Sequence, residues 1–167
     1  MQKHITPSAI VIGLIFLMIG AGFYLLARPP ASVYFIVQYL PFSGNGGAHS
    51  GVFENPVFGS LPMFFHVCAF TLLTAGCFRP GKRVAAVSSL FWLLVNVVFE
   101  ILQKFDQVAT ALIPAWFDHY PWLESFRPYF QYGTFDPFDL LFALFGAGTA
   151  YWILVRLMAG HNEEQAL

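Results

Sequence analysis

Four long runs of apolar residues divide this chain, and polar or turn-forming residues separate them. Each run approaches the ~20 residues that a helix needs to cross the apolar core of a bilayer. Strands of a membrane barrel would be much shorter and would alternate apolar with polar positions. The pattern therefore predicts an all-α polytopic membrane protein, in which residues 1–167 form one domain with a four-helix transmembrane bundle. The predicted transmembrane helices are residues 8–27, 60–78, 84–103 and 137–158.

The first apolar run resembles a signal peptide, because a basic start precedes it and prolines follow it. A secretory apolar region is typically ~7–15 residues long, whereas this run is longer and lacks a small-x-small cleavage site. We therefore expect it to be retained as a transmembrane helix.

Composition agrees with a membrane protein. Hydrophobic residues make up 57% of the chain and charged residues 10%, and the mean hydropathy is +0.64. Soluble domains average about 25% charged residues. The formal net charge of −1 shows no basic excess, which argues against nucleic acid as a partner.

Basic residues in the loops predict the orientation. The turn from Arg79 to Arg83 carries three basic residues and no acid, which is typical of a cytoplasmic loop. This places both termini in the cytoplasm, with five Lys and Arg residues inside and three outside. The loop between the third and fourth helices then faces outward, and it is rich in acids. We expect a multi-pass protein of the bacterial cytoplasmic membrane.

Both outer loops contain half-apolar segments, in which aromatic residues and prolines alternate in the second loop. Such segments are typical of short, broken helices that lie at the depth of the lipid headgroups. Two interpretations remain open, an ordinary aromatic belt and a lid over a polar site. The predicted interfacial segments are Ala31 to Leu40, Val108 to Phe117 and Trp122 to Tyr132.

Polar residues gather at the predicted outer ends of the helices. Three of them share one face of the third helix, at spacings of four and seven residues. Two acids open the fourth helix, and one histidine lies in the outer half of the second. We predict one outward-facing binding cluster composed of His66, Asn96, Glu100, Gln103, Asp136 and Asp139.

Each polar residue also has a simpler interpretation. Asp136 before Pro137 has the pattern of a helix N-cap, and Asp139 would complement the positive end of that helix. His66 alone is better explained as a packed or hydrogen-bonded histidine. Glu100 is different, because an ionised carboxylate at that depth needs a partner or water. We therefore expect Glu100 to matter most for folding or function and Gln103 to tolerate change better.

Small residues indicate where helices pack, since lipid gives apolar helices no hydrophobic reason to associate. The fourth helix carries overlapping small-residue spacings, and the first carries three glycines. These positions are Ala143, Gly146, Ala147 and Ala150, together with Gly13, Gly20 and Gly22.

Two short motifs resemble the VanZ-like membrane protein family. They are Glu100-x-x-Gln103 and the segment from Asp139 to Gly146, and His66 matches a histidine usual in an earlier helix of that family. The chain departs from the family pattern in two ways. It lacks an arginine shortly before the aspartate, unless Arg127 substitutes, and it has Ala143 where an asparagine is common.

The resemblance implies a membrane fold with outward-facing polar residues near the membrane surface. The family takes its name from a protein linked to low-level teicoplanin resistance, and we do not extend that role to this chain.

Three classes of function remain open. The first is a binding or accessory protein that recognises membrane lipid, an envelope precursor or another membrane protein. The second is a structural subunit, whose polar groups join the helices by hydrogen bonds. The third is an enzyme that acts on a lipid headgroup, with His66, Glu100 and Asp139 as base, acid or metal ligands.

No P-loop, nucleophile elbow or paired-cysteine motif is present in the sequence, so we predict no cofactor and assign no metal site. An open, wet pocket at the polar cluster would favour binding or catalysis. A closed and fully paired cluster would favour the structural role.

Overall fold

A computed structural model describes residues 7–27, 56–78, 81–121 and 123–164, and these residues form helices and turns without a strand. The all-α class is therefore confirmed for the described chain. The predicted interfacial helix at 31–40 lies outside the described residues. The helices are α1 (Pro7–Ala27), α2 (Pro56–Gly59), α3 (Leu61–Gly76), α4 (Lys82–Lys104), α5 (Asp106–Leu112), a 3₁₀ helix (Ala115–His119), α6 (Phe126–Tyr132) and α7 (Pro137–Glu164).

Three helical segments are long and apolar enough to cross a membrane. They are Val57–Gly76, which joins α2 to α3, then Lys82–Lys104 and Pro137–Gly160. Helix α1 has 21 residues, and its stretch from Pro7 to Phe23 is an apolar helix shorter than these three. The described helices thus support three of the four predicted spans, and the fourth stays a prediction.

The long helices alternate in direction along the chain. A Cβ atom built on Gly76 would lie 2.7 Å from Ile10 Cγ1, and one built on Gly20 would lie 2.8 Å from Phe65 Cβ. The start of α1 therefore lies beside the end of α3, and the two helices are antiparallel. Helix α7 runs parallel to α3 and packs on both α3 and α4.

Both described chain ends consequently lie at the end of the bundle where α3 ends and α4 begins. We name this the inner end and the opposite one the outer end, after the predicted orientation. That orientation requires both termini on one side, and the helix directions satisfy this requirement.

Small residues form the contacts between the helices, as predicted. Ala143, Ala147 and Ala150 of α7 are buried, and a Cβ atom on Gly146 would lie 2.6 Å from Phe64 O. Only glycine allows α7 to approach the α3 backbone this closely. Gly22 is an exception to the prediction, because a Cβ atom there would meet nothing within 4 Å.

Helix α4 is apolar outside and polar inside. Its inward face carries Ser88, Ser89 and Glu100, which are buried. Its outward face exposes large apolar side chains: Val87, Leu90, Phe91, Leu94, Val98 and Ile101. A soluble bundle has the reverse pattern. An apolar exterior around buried polar groups is expected of a helix whose surroundings are lipid.

Three short helices form a layer over the outer end, which we call the outer layer: α5, the 3₁₀ helix and α6. Prolines separate them, since Pro114 precedes the 3₁₀ helix in extended conformation. The interfacial segments predicted at 108–117 and 122–132 are therefore helical in part and broken, with boundaries shifted to those of α5, the 3₁₀ helix and α6. Their depth in a membrane stays a prediction.

Arg127 joins the three parts of the outer layer. Its guanidinium donates hydrogen bonds from Nη1 to Thr110 O at 2.9 Å and from Nη2 to Ile113 O at 3.3 Å. Nε donates to the Asp118 carboxylate at 3.3 Å. A cation suits the carbonyl groups at the end of α5, which carry the negative end of the helix dipole. The described donors of Arg127 thus bind within the outer layer.

Replacing Arg127 by alanine should loosen the outer layer and leave the bundle intact. The loss would free two main-chain carbonyls and one carboxylate, so the amides of residues 106–121 should exchange hydrogen faster. Hydrogen–deuterium exchange with mass spectrometry measures this directly. Lys104→Ala removes a neighbouring exposed cation as the control. Unchanged exchange over 106–121 in the Arg127 variant would contradict the role assigned to this residue.

Candidate functional site

Glu100 lies on the inward face of α4, near its outer end. Its side chain is almost fully enclosed, with 1% of the residue exposed. Oε2 accepts a hydrogen bond from the backbone N–H of Asp136 at 3.3 Å. The carboxylate therefore joins the end of α4 to the residue that begins α7. The sequence predicted that Glu100 needs a partner, and the structure shows a main-chain partner, 36 residues along the chain.

Asp136 caps α7. Its Oδ1 accepts a hydrogen bond from the N–H of Phe138 at 2.9 Å, which is the geometry of an N-cap with Pro137 as the first helical residue. The N-cap interpretation of Asp136 is confirmed. Asp139 lies in the first turn of α7, where its charge complements the positive end of the helix dipole.

Gln103 and Gly133 complete the contact between α4 and α7. A Cβ atom on Gly133 would lie 2.9 Å from Gln103 Cδ and 2.5 Å from Tyr129 O. The side chain of Gln103 therefore lies directly against the backbone that links α6 to α7. We call Glu100, Gln103, Gly133 and Asp136 the Glu100 cluster.

Gly133 was not among the predicted site residues. A glycine just after a short helix was the available signal, because this position follows the last residue of α6.

The two deeper predicted residues lie in other surroundings. Asn96 Nδ2 donates to Trp92 O at 2.8 Å, within α4 itself. The ring of His66 stacks on Phe70, with ring centroids 6.2 Å apart, and Phe70 stacks in turn on Trp92 at 4.8 Å. His66 is thus a packed histidine of α3, and a Cβ atom on Gly20 of α1 would lie 3.8 Å from its Cδ2 atom. Its membership in one cluster with Glu100 and Asp139 stays a prediction.

Glu100 itself is enclosed, whereas Gln103, Gly133 and Asp136 are half-buried. A shallow crevice lies at the opposite, inner end and is lined by Gly81, Leu157, Met158 and neighbouring apolar groups. In the described chain, no three His, Cys, Asp or Glu side chains come close enough together to hold a metal ion. The arrangement can therefore fix one helix against another, and it presents no metal-ligand set for the enzyme alternative.

The inward face of α4 carries more polar groups than the sequence analysis named. Trp92 Nε1 donates to Thr74 Oγ1 of α3 at 2.8 Å, and Ser88 and Ser89 are buried below it. The spacing that linked Asn96, Glu100 and Gln103 continues backwards through Trp92 and Ser89. Extending the same helical face toward the inner end would have found these residues.

Comparison with known proteins gives no relatives. No family model matches this sequence, and no curated protein or solved structure matches it at a significant level. The fold therefore defines the class of protein: the described residues are all-helical, and three of their helices are apolar enough to cross a membrane.

Proposed function

We propose that this chain is a four-span protein of the bacterial cytoplasmic membrane that serves as a structural or accessory component of the cell envelope. In this proposal the Glu100 cluster holds the helices together and is not an open ligand site. The observation that carries it is the enclosure of Glu100, whose Oε2 accepts a main-chain hydrogen bond from the start of α7.

Physical chemistry supports a joining role. A buried carboxylate without a partner is costly, and the cost is greater near lipid than near water. Glu100 accepts the N–H of Asp136 at the beginning of α7, where the helix dipole stabilises negative charge. Because Gln103 packs on Gly133 beside it, the same contact positions the end of the outer layer.

The VanZ-like resemblance remains part of this proposal. Its support is spatial, since the Glu100–Gln103 motif and the start of the Asp139 motif occur on helices that meet at Asp136. The family often has an arginine shortly before the aspartate, and we do not assign that role to Arg127. The described hydrogen bonds of Arg127 go instead to the outer layer.

A second candidate is recognition of membrane lipid or an envelope precursor at the outer layer. The observation that favours it is the exposure of large rings there, which belong to Trp116, Tyr120 and Tyr132. Tyr and Trp side chains suit the boundary between lipid and water. This candidate places the ligand on the outer layer, above the Glu100 cluster.

Ligand-dependent thermal shifts distinguish the two candidates. Purified protein in detergent would be heated with phospholipids and with lipid-linked envelope precursors, in parallel with Glu100→Gln and Trp116→Ala variants. The joining role predicts that no shift depends on Glu100. A shift that Glu100→Gln abolishes would contradict it, whereas a shift lost only in Trp116→Ala would support recognition at the outer layer.

The proposed orientation can be tested with a native cysteine. Cys77 is exposed at the inner end, so a thiol reagent that cannot cross the membrane should fail to modify it in intact cells. The same reagent should modify Gln107→Cys, on the exposed surface of α5, in a Cys77→Ser background.

Inside-out vesicles supply the control, because Cys77 should become reactive there. Labelling of Cys77 in intact cells combined with protection of Gln107→Cys would reverse the orientation.

A further inference from the structure

Two buried hydroxyl groups face the interior of the bundle near its inner end. Thr71 of α3 is 0% exposed and Ser89 of α4 is 7% exposed. Neither Thr71 Oγ1 nor Ser89 Oγ has a hydrogen-bond partner among the described residues. Buried polar atoms are almost always paired with protein or with ordered water, so these two hydroxyls require an explanation.

The neighbouring contacts show that protein partners are used where they are in reach. One turn from Thr71 on the same helix, Thr74 Oγ1 accepts a hydrogen bond from Trp92 Nε1. Higher on α4, Asn96 and Glu100 are also bonded. Thr71 lies one turn outward of Thr74 on α3, and Ser89 lies one turn inward of Trp92 on α4. The two unpartnered hydroxyls therefore lie at about the level of the contact between Trp92 and Thr74.

A crevice at the inner end stops about one helical turn short of that level. Its lining includes Ala75 and Ala85, which lie four residues from Thr71 and Ser89 respectively and so on the same helical faces. Ala75 and Ala85 belong to one buried cluster with Leu154 of α7, which places the two faces together in the interior. The crevice has a volume of about 10 Å³, which corresponds to about one water molecule.

We infer that Thr71 and Ser89 form an internal hydration site between α3, α4 and α7, reached by water from the inner end through the Ala75–Ala85 crevice. The chemistry favours water over an ion, because two neutral hydroxyls lack the charge and the number of oxygen ligands that a cation requires. Buried water typically makes about three hydrogen bonds to otherwise unpaired polar groups. Such water is part of the folded structure.

Hydrogen exchange at an introduced thiol tests this inference. Ser89→Cys would be made in a Cys77→Ser background, and the S–H stretching band would be followed by infrared spectroscopy after transfer into D₂O. We expect the Ser89→Cys thiol to convert to S–D faster than the thiol of Leu90→Cys, which faces outward at nearly the same depth. The native Cys68 is common to both proteins and cancels in the comparison. Exchange at Ser89→Cys no faster than at Leu90→Cys would overturn the hydration site.

The change in Tm gives a second test, because bonded and unbonded hydroxyls predict different directions of change. If water bonds the hydroxyls, Thr71→Val and Ser89→Ala should each lower Tm by about 2–4 °C, the shift for about one hydrogen bond in a chain of this size. If the hydroxyls are unbonded, removing them should leave Tm unchanged or raise it, which would overturn the inference.

The inference assumes the proposed membrane insertion, and it is independent of the role given to Glu100. Labelling of Cys77 tests the insertion separately. Failure of the orientation experiment and failure of the hydration experiment can therefore be distinguished.

Discussion

Replacing Glu100 by alanine is expected to lower the free energy of unfolding by about 1–3 kcal/mol, the typical cost of leaving a buried polar partner unpaired. The N–H of Asp136 would lose its acceptor in a part-buried hydrogen bond. A space would also remain where one of the largest fully buried side chains had been. For a chain of this length each kcal/mol corresponds to about 2–4 °C in Tm. Thermal unfolding in detergent would measure the loss.

Two further variants give this experiment its control. Glu100→Gln keeps an oxygen acceptor of the same length, so it should lose less stability than alanine. Asp106→Asn removes the charge of an exposed carboxylate on α5 and should change Tm little. If Glu100→Ala unfolds at the same temperature as the parent protein, the side chain is only a hydrated boundary residue, and the joining role fails.

Replacing Gly146 by alanine should destabilise the protein through overpacking. The added methyl group would lie 2.6 Å from Phe64 O and 3.3 Å from two other backbone atoms of the same residue. Backbone atoms cannot rotate away as the end of a flexible side chain can, so α7 must move from α3. Overpacking of this kind costs typically 1–3 kcal/mol. Gly146→Leu should cost more and should disturb the start of α7 as well.

Gly148→Ala is the matched control on the same helix. A Cβ atom there would meet nothing within 4 Å, so alanine at this position should be neutral or slightly stabilising, because glycine is the poorer helix former by about 0.5–1 kcal/mol. Both variants change helix propensity equally, and the difference in Tm between them isolates the contact with α3. Equal Tm values for the two variants would show that α7 does not approach α3 at Gly146.

The helical type and the positions of three long apolar helices could be predicted from the pattern of apolar residues. A long uncharged run is stable in lipid as an α-helix, because a helix satisfies every backbone hydrogen bond internally. The predicted boundaries at 84–103 and at Pro137 agree with α4 and α7 to within two residues where those helices begin. The small-residue face of α7 was also predictable, because close packing of apolar helices requires small side chains.

The proline breaks in the outer loop followed from local chemistry as well, because proline lacks an N–H donor and restricts the residue before it. The lengths of the short helices between those breaks could not be predicted from the sequence. They depend on tertiary contacts, such as those that Arg127 makes with Thr110 O and Ile113 O.

For the site, the sequence by itself determined which residues were candidates and at which end of the bundle they lie. It identified Glu100 as the carboxylate most in need of a partner and Asp136 as a cap. Only the tertiary structure decided the partner, which is a backbone N–H. Every residue except proline has this donor, so residue type does not indicate which one Glu100 binds. The structure also showed that Glu100 is enclosed, and that α4 turns its serines inward. The physical reason is that helical periodicity gives the spacing of residues on a face, whereas the rotation of each helix depends on how all the helices pack together.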